Sequence, residues 1–351
     1  MAYTTIDDPT IYFNTKLYTG NGGTNAITGV GFQPDWVWIK DRDTSQHQRL
    51  ADVVRGVKKN LKSDQTDAEN TTDSNNGLQS FDSDGFTLTQ DSNDHGYNAS
   101  GSSQVSWNWK AGGSASSNTD GSITSSVSVS TDAGFSIVSY TGTGSSATVG
   151  HGLGAVPSVM IFKNRIDTTN WVVYHHKNTS APETDYLYLN RTNATSDYQH
   201  HFNDTAPTSS VFTLGYDNGV NDSSDAMIAY CFSEIKGYSK FGSYTGNGGS
   251  QNFIYTGFKP AWIIGKRTDV TNNYYMFDNK RNTFNVTDAK LRADQSSAEN
   301  VNSGKTIDFI SNGVNIKSSD EEFNASGGTY IFMAFAESPL VNSKGVPNNA
   351  R

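Results

Sequence analysis

The 351-residue chain has little of what usually announces a function. It carries one cysteine, so an internal disulfide framework is excluded. Charged residues make up only 17%, against about a quarter in an ordinary soluble domain. Lys and Arg number 26 against 35 Asp and Glu, a net charge of −9. That shortage of cations argues against a general nucleic-acid binder, which must neutralise phosphates. No apolar run approaches the roughly twenty residues of a spanning helix, so no membrane insertion is expected. The first nine residues, Met1 to Pro9, hold neither a basic nor an apolar stretch, so no secretory leader is expected there. The phosphate-cradling Gly-x-x-x-x-Gly-Lys-Ser/Thr, the zinc-binding His-Glu-x-x-His and the nucleophile elbow Gly-x-Ser-x-Gly are all missing from the sequence.

What is present is a polar, glycine-rich chain with 33 Gly and 12% aromatics. That composition suits many short strands joined by polar turns. It also carries a long internal repeat. Tyr18-Thr-Gly-Asn-Gly-Gly23 returns as Tyr244-Thr-Gly-Asn-Gly-Gly249, with a weaker Tyr140-Thr-Gly-Thr-Gly144 between them. A second marker follows each: Pro34-Asp-Trp36-Val-Trp38-Ile-Lys40, Pro157-Ser-Val159-Met-Ile-Phe162-Lys163 and Pro260-Ala-Trp262-Ile-Ile-Gly-Lys266. The third reads Asp64-Gln65-Thr-Asp-Ala-Glu69-Asn70 in copy one and Asp294-Gln295-Ser-Ser-Ala-Glu299-Asn300 in copy three. Copy two has Asn190-Arg191-Thr-Asn-Ala194 instead. An apolar fourth marker closes each unit at Trp107-Asn-Trp109, Tyr230-Cys-Phe232 and Met333-Ala-Phe335. A unit of about 100–120 residues is the size of a domain and far longer than a solenoid repeat of roughly 20–50 residues.

The expected fold is all-β, with three tandem antiparallel β-sandwich (jelly-roll-like) repeat domains over 1–112, 134–238 and 239–339. A Gly/Ser-rich linker with one extra strand fills 113–133, and 340–351 forms an extended arm. The N-terminal ten residues read as a second arm, and such arms suit contact with a neighbouring subunit. Pro34, Pro157 and Pro260 are placed at strand starts, where a missing N–H costs least. Trp36 to Ile39 are apolar without alternation, so both faces of that strand are expected to be covered. Asp84-Gly85 and Asn312-Gly313 between β-prone flanks read as hairpin turns.

Chemistry-bearing residues are few. Cys231 lies in an apolar run and reads as a buried small hydrophobe. Asp82/Asp84, Asp91/Asp94 and Asp320/Glu321/Glu322 sit in turns, where solvated carboxylates are ordinary. The acids of Asp217 to Asp222 are of the kind calcium favours, though no known loop pattern is met, and no other cofactor is expected. His175-His176 and His200-His201 are adjacent pairs, which in strands point to opposite faces, so no metal site is expected from them. The candidate binding residues are Trp171, Tyr174, His175, Tyr274 and Tyr275 as sugar-stacking groups. Asp64, Gln65, Asp294 and Gln295 join them as polar ligands or inter-domain contacts. No catalytic set emerges.

Tyr-Thr-Gly-Asn-Gly-Gly followed by Gly31-Phe32-Gln-Pro34-Asp-Trp36-Val-Trp38-Ile-Lys40 resembles a repeat of virion structural proteins from tailed bacteriophages, especially phages of marine bacteria. Trp171-Val-Val-Tyr174-His175, Tyr330-Ile-Phe-Met-Ala-Phe-Ala-Glu-Ser-Pro339 and the ending Val346-Pro-Asn-Asn-Ala-Arg351 are similar to other parts of the same group. The resemblance runs from about Tyr12 to Arg351. It implies a non-enzymatic particle component assembled in the host cytoplasm, either a tail fibre or appendage or a head decoration protein. It further implies partners among other virion proteins, a homo-oligomer (a trimer for a fibre), and contact with a host glycan or receptor. A lectin-like carbohydrate-binding module is the alternative. The resemblance brings no active site to carry over, and copy two departs from its pattern at the third marker.

Overall fold

The computed structural model describes residues 3–70, 77–89 and 96–349. Regular structure among them is almost entirely antiparallel strand, and no helix exceeds four residues. Each sequence copy builds one main sheet. In copy one its order is Phe13–Thr19, Ser103–Trp109, Trp36–Asp41, Arg49–Asp52. Copy three repeats that order with Ser239–Thr245, Thr329–Pro339, Phe258–Arg267 and Tyr274–Asp278. Copy two has the same four at its centre, namely Phe135–Thr141, Ala226–Phe232, Val159–Asn164 and Val172–His175. The registers agree: Trp36 lies opposite Trp109, Val159 opposite Phe232 and Trp262 opposite Phe335.

Copy two extends its sheet to eight strands. Ser116–Asn118 and Ser125–Ser130 add to one edge, so the Gly/Ser-rich segment holds two strands. Asp185–Tyr188 and Ser196–Asp197 add to the other edge. The prolines stand differently from expectation. The strands begin two residues after Pro34 and Pro157, whereas Pro260 lies inside Phe258–Arg267 at a register shift. A missing N–H is tolerated at such a bulge.

A smaller sheet covers the outer face of each main sheet: Asn25–Thr28 with Gly85–Leu88 and Leu78–Asp82, Ala147–Gly150 with Val211–Leu214, and Asn252–Tyr255 with Gly313–Ile316 and Ile307–Ile310. The expected hairpins at Asp84-Gly85 and Asn312-Gly313 are there. Glycine is needed at Gly85 and Gly313 because a Cβ would lie about 2 Å from the carbonyl oxygen of Ile27 or Ile254.

Alternation along the covered strands divides the core. Val37 and Ile39 face the small sheet of copy one, with Phe86 and Leu88. Copies two and three have their own outer cores around Phe162/Phe212 and Phe277/Phe309. Trp36 and Trp38 point the other way, into the largest cluster, which draws from all three copies. There Trp36 stacks on Tyr230 with ring centres 4.5 Å apart, Trp109 meets Trp262 edge-on at 5.5 Å, and Phe232 meets Phe335 at 5.9 Å. The copies therefore share one aromatic centre instead of standing apart as separate beads. The described parts of the two arms lie on their own chain, where Ser343 donates its N–H and hydroxyl to Asp7.

Candidate functional site

The repeated markers hold the copies together. In the first marker, the hydroxyls of Tyr18, Tyr140 and Tyr244 donate to the carbonyls of Tyr97, Val220 and Phe323 at 2.6–2.7 Å. The residue after each of those carbonyls is a fully buried asparagine: Asn98, Asn221 or Asn324. Its side chain accepts from the glycine-rich loop at the N–H of Asn21, Thr143 or Asn247. It also donates to that loop's carbonyls at Gly23, Ser145 or Gly249. The marker glycines Gly20, Gly142 and Gly246 fit only because a Cβ would sit about 2 Å from a backbone oxygen of Ala99, Asp222 or Ala325. These asparagines went unnoticed in the sequence. Their signal was the recurrence of Asn98-Ala-Ser-Gly as Asn324-Ala-Ser-Gly.

The third marker bridges one copy to the next. Glu69 of copy one accepts from Arg165 of copy two at 2.8 and 3.1 Å and from its own Arg55 at 3.0 Å. Glu299 of copy three accepts from Arg42 of copy one at 2.7 and 3.0 Å and from its own Arg281 at 3.0 Å. At the third seam Thr195 of copy two donates its N–H to the Thr268 carbonyl of copy three at 2.9 Å, where the other seams carry the matching bonds from Glu69 to Arg165 and from Glu299 to Arg42. A second layer runs the same way round. Asp52 accepts from the Tyr230 hydroxyl, Asp278 from the Trp107 indole, and His175 donates to the Phe332 carbonyl. The contacts run from copy one to two, two to three and three to one, so they form a closed ring.

Electrostatics follow from that burial. Burial pushes the Glu69 carboxyl up, but the Arg165 hydrogen bond and the charges of Arg55 and Arg165 outweigh it and hold it below its ordinary value. The marker lysines Lys40, Lys163 and Lys266 are fully buried, and burial lowers each ammonium to about 8 against the pull of nearby carboxylates. Lys163 donates to the Thr66 carbonyl of copy one, and Lys266 to the Thr192 carbonyl of copy two. Burial also pushes the Cys231 thiol well up, which leaves it unreactive.

The structure scatters the candidate binding residues through this interior. Trp171, Tyr174, His175, Tyr274 and Tyr275 are at most 4% exposed, so none offers a ring face to a sugar. The Trp171 indole donates to the Lys62 carbonyl across a seam. Asp64 and Asp294 accept from the backbone N–H of Gln48 and Tyr274, and Gln295 donates to Asn273. Gln65 is half-buried beside them. The cavity in the aromatic centre holds only about 30 Å³, room for a water and no ligand.

The turn carboxylates mostly have structural partners. Asp84 accepts from the N–H groups of Gly29 and Gly31, Asp82 from Thr87, and Asp320 caps the turn at Glu322. Glu322 is clamped by Lys290 and Arg292. Asp91 and Asp94 lie outside the described residues. Of the calcium candidates, Asp217 caps Asn218–Asn221, while Asp222 groups with Asp167 and Asp225, their oxygens within 4.8 Å of one another. The His pairs divide. His175 and His176 donate to copy-three carbonyls, while His200 bonds the Tyr216 hydroxyl and His201 borders an open cleft. That cleft has a volume of about 360 Å³ at the rim between copies one and two.

A chain of this kind is an all-β protein whose main sheets lock around one aromatic centre. Residues 8–339 match the model of a family described as a domain of unknown function, DUF7483, and the chain belongs to that family. No curated protein matches it, and no solved structure matches it.

Proposed function

We propose that this protein is a non-enzymatic structural component of a tailed-phage particle, a tail fibre or appendage subunit that assembles by surface complementarity. In this reading the three copies are tandem antiparallel sandwich repeats of jelly-roll type, closed into a ring within one chain. The observation that carries the structural role is the use of the repeated markers. The ionisable and aromatic groups that recur through the sequence bind copy to copy, which suits a rigid building block. The particle assignment rests on the resemblance of those same markers to phage virion repeats. The deciding experiment is labelling of purified particles with an antibody against this chain. Label on the tail supports the reading, label on the capsid replaces it with head decoration, and absence from the particle overturns both. Light scattering tests the expected homotrimer, which has three times the 38.1 kDa chain mass.

A further inference from the structure

The strongest feature that the internal ring does not use is the cleft at the outer edge of copy two. His201 is only 2% exposed, yet Nε2 has no hydrogen-bond partner, and Nδ1 lies 3.3 Å from Asp217 Oδ1 without forming a well-directed bond. A buried imidazole left this way costs free energy unless something else satisfies it. This one lines the cleft. Across from it Arg191 gives only its Nε, to Asn170 Oδ1, and its terminal nitrogens bond no other described residue. Tyr188 and Asn218 complete the wall.

We propose that this cleft is a carbohydrate-binding site that takes one or two sugar residues. Its volume of about 360 Å³ falls in the ordinary range for small-molecule sites, roughly 300–1,000 Å³. Its chemistry is mixed. Asp217 accepts, while Arg191, Asn218 and Tyr188 donate; the Asn170 oxygen already takes Asn190 and Arg191. A sugar hydroxyl does both at once, and a guanidinium fork spans a vicinal pair of hydroxyls or a sugar carboxylate. Two exposed tyrosines stand outside its lining, against the His200-His201 pair. Tyr216, 56% exposed, packs against His200 at 4.0 Å, and Tyr198, 39% exposed, packs against His201 at 5.0 Å. Exposed rings of that kind stack on sugar faces. The cleft lies mainly on copy two, with Thr66 of copy one at its rim. Arg191 and its copy-three counterpart Gln295 bond the matching asparagines, Asn170 and Asn273, but Gln295 has no guanidinium fork to offer beyond that bond. The departure of copy two from the repeat thus coincides with an open pocket, and the assignment stands whether or not the chain belongs to a virion.

The test uses the intact chain with labelled histidine and a defined panel: glucose, galactose, mannose, N-acetylglucosamine, glucuronate and sialic acid, each also as a disaccharide, plus inorganic phosphate. At least one saccharide is expected to shift the His201 imidazole nitrogen resonances saturably and to give saturation-transfer signals. His201→Phe and Arg191→Met are each expected to weaken that binding tenfold or more. His201→Phe should keep or raise the melting temperature, since it removes an unpaired buried polar ring. The proposal is overturned if no saccharide perturbs wild-type His201, if phosphate alone does, or if both variants bind within twofold of wild type. The wild-type measurement decides the matter even if a variant fails to fold.

Discussion

Two of the three seams carry an ion pair at the third marker, and the remaining seam is neutral at that place. Glu69 and Glu299 each gather two arginines, and Arg55 and Arg281 among these are completely buried. At the corresponding place between copies two and three stand Thr195 and Thr268, joined through the backbone alone. The substitution is paired: copy two lost the carboxylate and copy three lost the arginine. A buried charge without its partner is costly, whereas two neutral groups that meet through main-chain bonds are not. The backbone bond persists at all three seams, so it sets the geometry, and the ion pairs are one of two ways to fill it.

The comparison breaks most sharply at the carboxylates. Glu69→Ala leaves Arg165 without its carboxylate and takes one of two carboxylates from the buried Arg55, which keeps Asp52, and is expected to cost about 2–3 kcal/mol. Thr195→Ala keeps the backbone bond across the seam but removes the Thr195 hydroxyl's bond to Asn178, and should cost about 1 kcal/mol. Urea midpoints measured on both variants check the contrast, and equal losses would refute it.

The neutral seam has its own weakness, in acid. His175 is buried against the Phe332 carbonyl, and burial lowers its imidazole to about 3. An unfolded histidine protonates near 6.5. Between those values the unfolded chain binds the extra proton, so stability falls as the pH drops below 6.5, by up to about 1.4 kcal/mol per unit. That amounts to about 3 kcal/mol by pH 4.5. His175→Gln should flatten this part of the stability profile. An unchanged slope in urea titrations from pH 7 to 4.5 would remove His175 from the account.

A third substitution asks what the seams do not distinguish. Asn98, Asn221 and Asn324 make the same bonds in all three copies. Asn221→Ala leaves the Thr143 N–H and the Gly215 carbonyl without partners and takes one of two donors from the Ser145 carbonyl. The expected loss is about 2 kcal/mol. Asn98→Ala and Asn324→Ala should fall within about 1 kcal/mol of it by thermal denaturation, and a wide spread would show that the loops are not equivalent.

Much of the strand layout was legible in the sequence. The non-alternating Trp36 to Ile39 run announced a strand covered on both faces, and its side chains do divide between two cores. The Asp-Gly and Asn-Gly signals found their hairpins. The shared centre was not legible, because periodicity reports that a face is covered and not what covers it. For the same reason aromatic residues such as Trp171 and Tyr274 read equally well as core or as a sugar platform, and they prove to be core. Glu69 and Glu299 were visible only as parts of a marker, since one arginine of each comes from another copy, about a hundred or more residues away. The His201 cleft left no spacing signal, because its walls come from several loops of copy two and the rim of copy one.

A one-atom exchange gives the finest test of whether the copies are interchangeable. Asp64, Asn190 and Asp294 all accept a backbone N–H from the neighbouring hairpin strand or the residue just before it. Their second atoms differ. Asp64 Oδ2 meets His47 at 2.7 Å, Asn190 Nδ2 donates to Asn170, and Asp294 Oδ2 is buried with no partner. Burial raises the Asp294 carboxyl to about 7, against the pull of Lys266. The unfolded carboxyl titrates near 3.9, so the folded chain holds the extra proton between those values and stability falls as pH rises through them. Asp294→Asn installs the copy-two residue and removes that ionisation. From those two values it should stabilise the protein by up to about 4 kcal/mol at pH 8 and change it by less than about 1 kcal/mol at pH 4, where the carboxyl is protonated in the folded chain and about half protonated in the unfolded one. Asp64→Asn loses the His47 contact and should destabilise by about 1 kcal/mol. If both substitutions move the urea midpoint the same way at pH 8, the second atom does not matter and the first hydrogen bond alone explains why this position recurs.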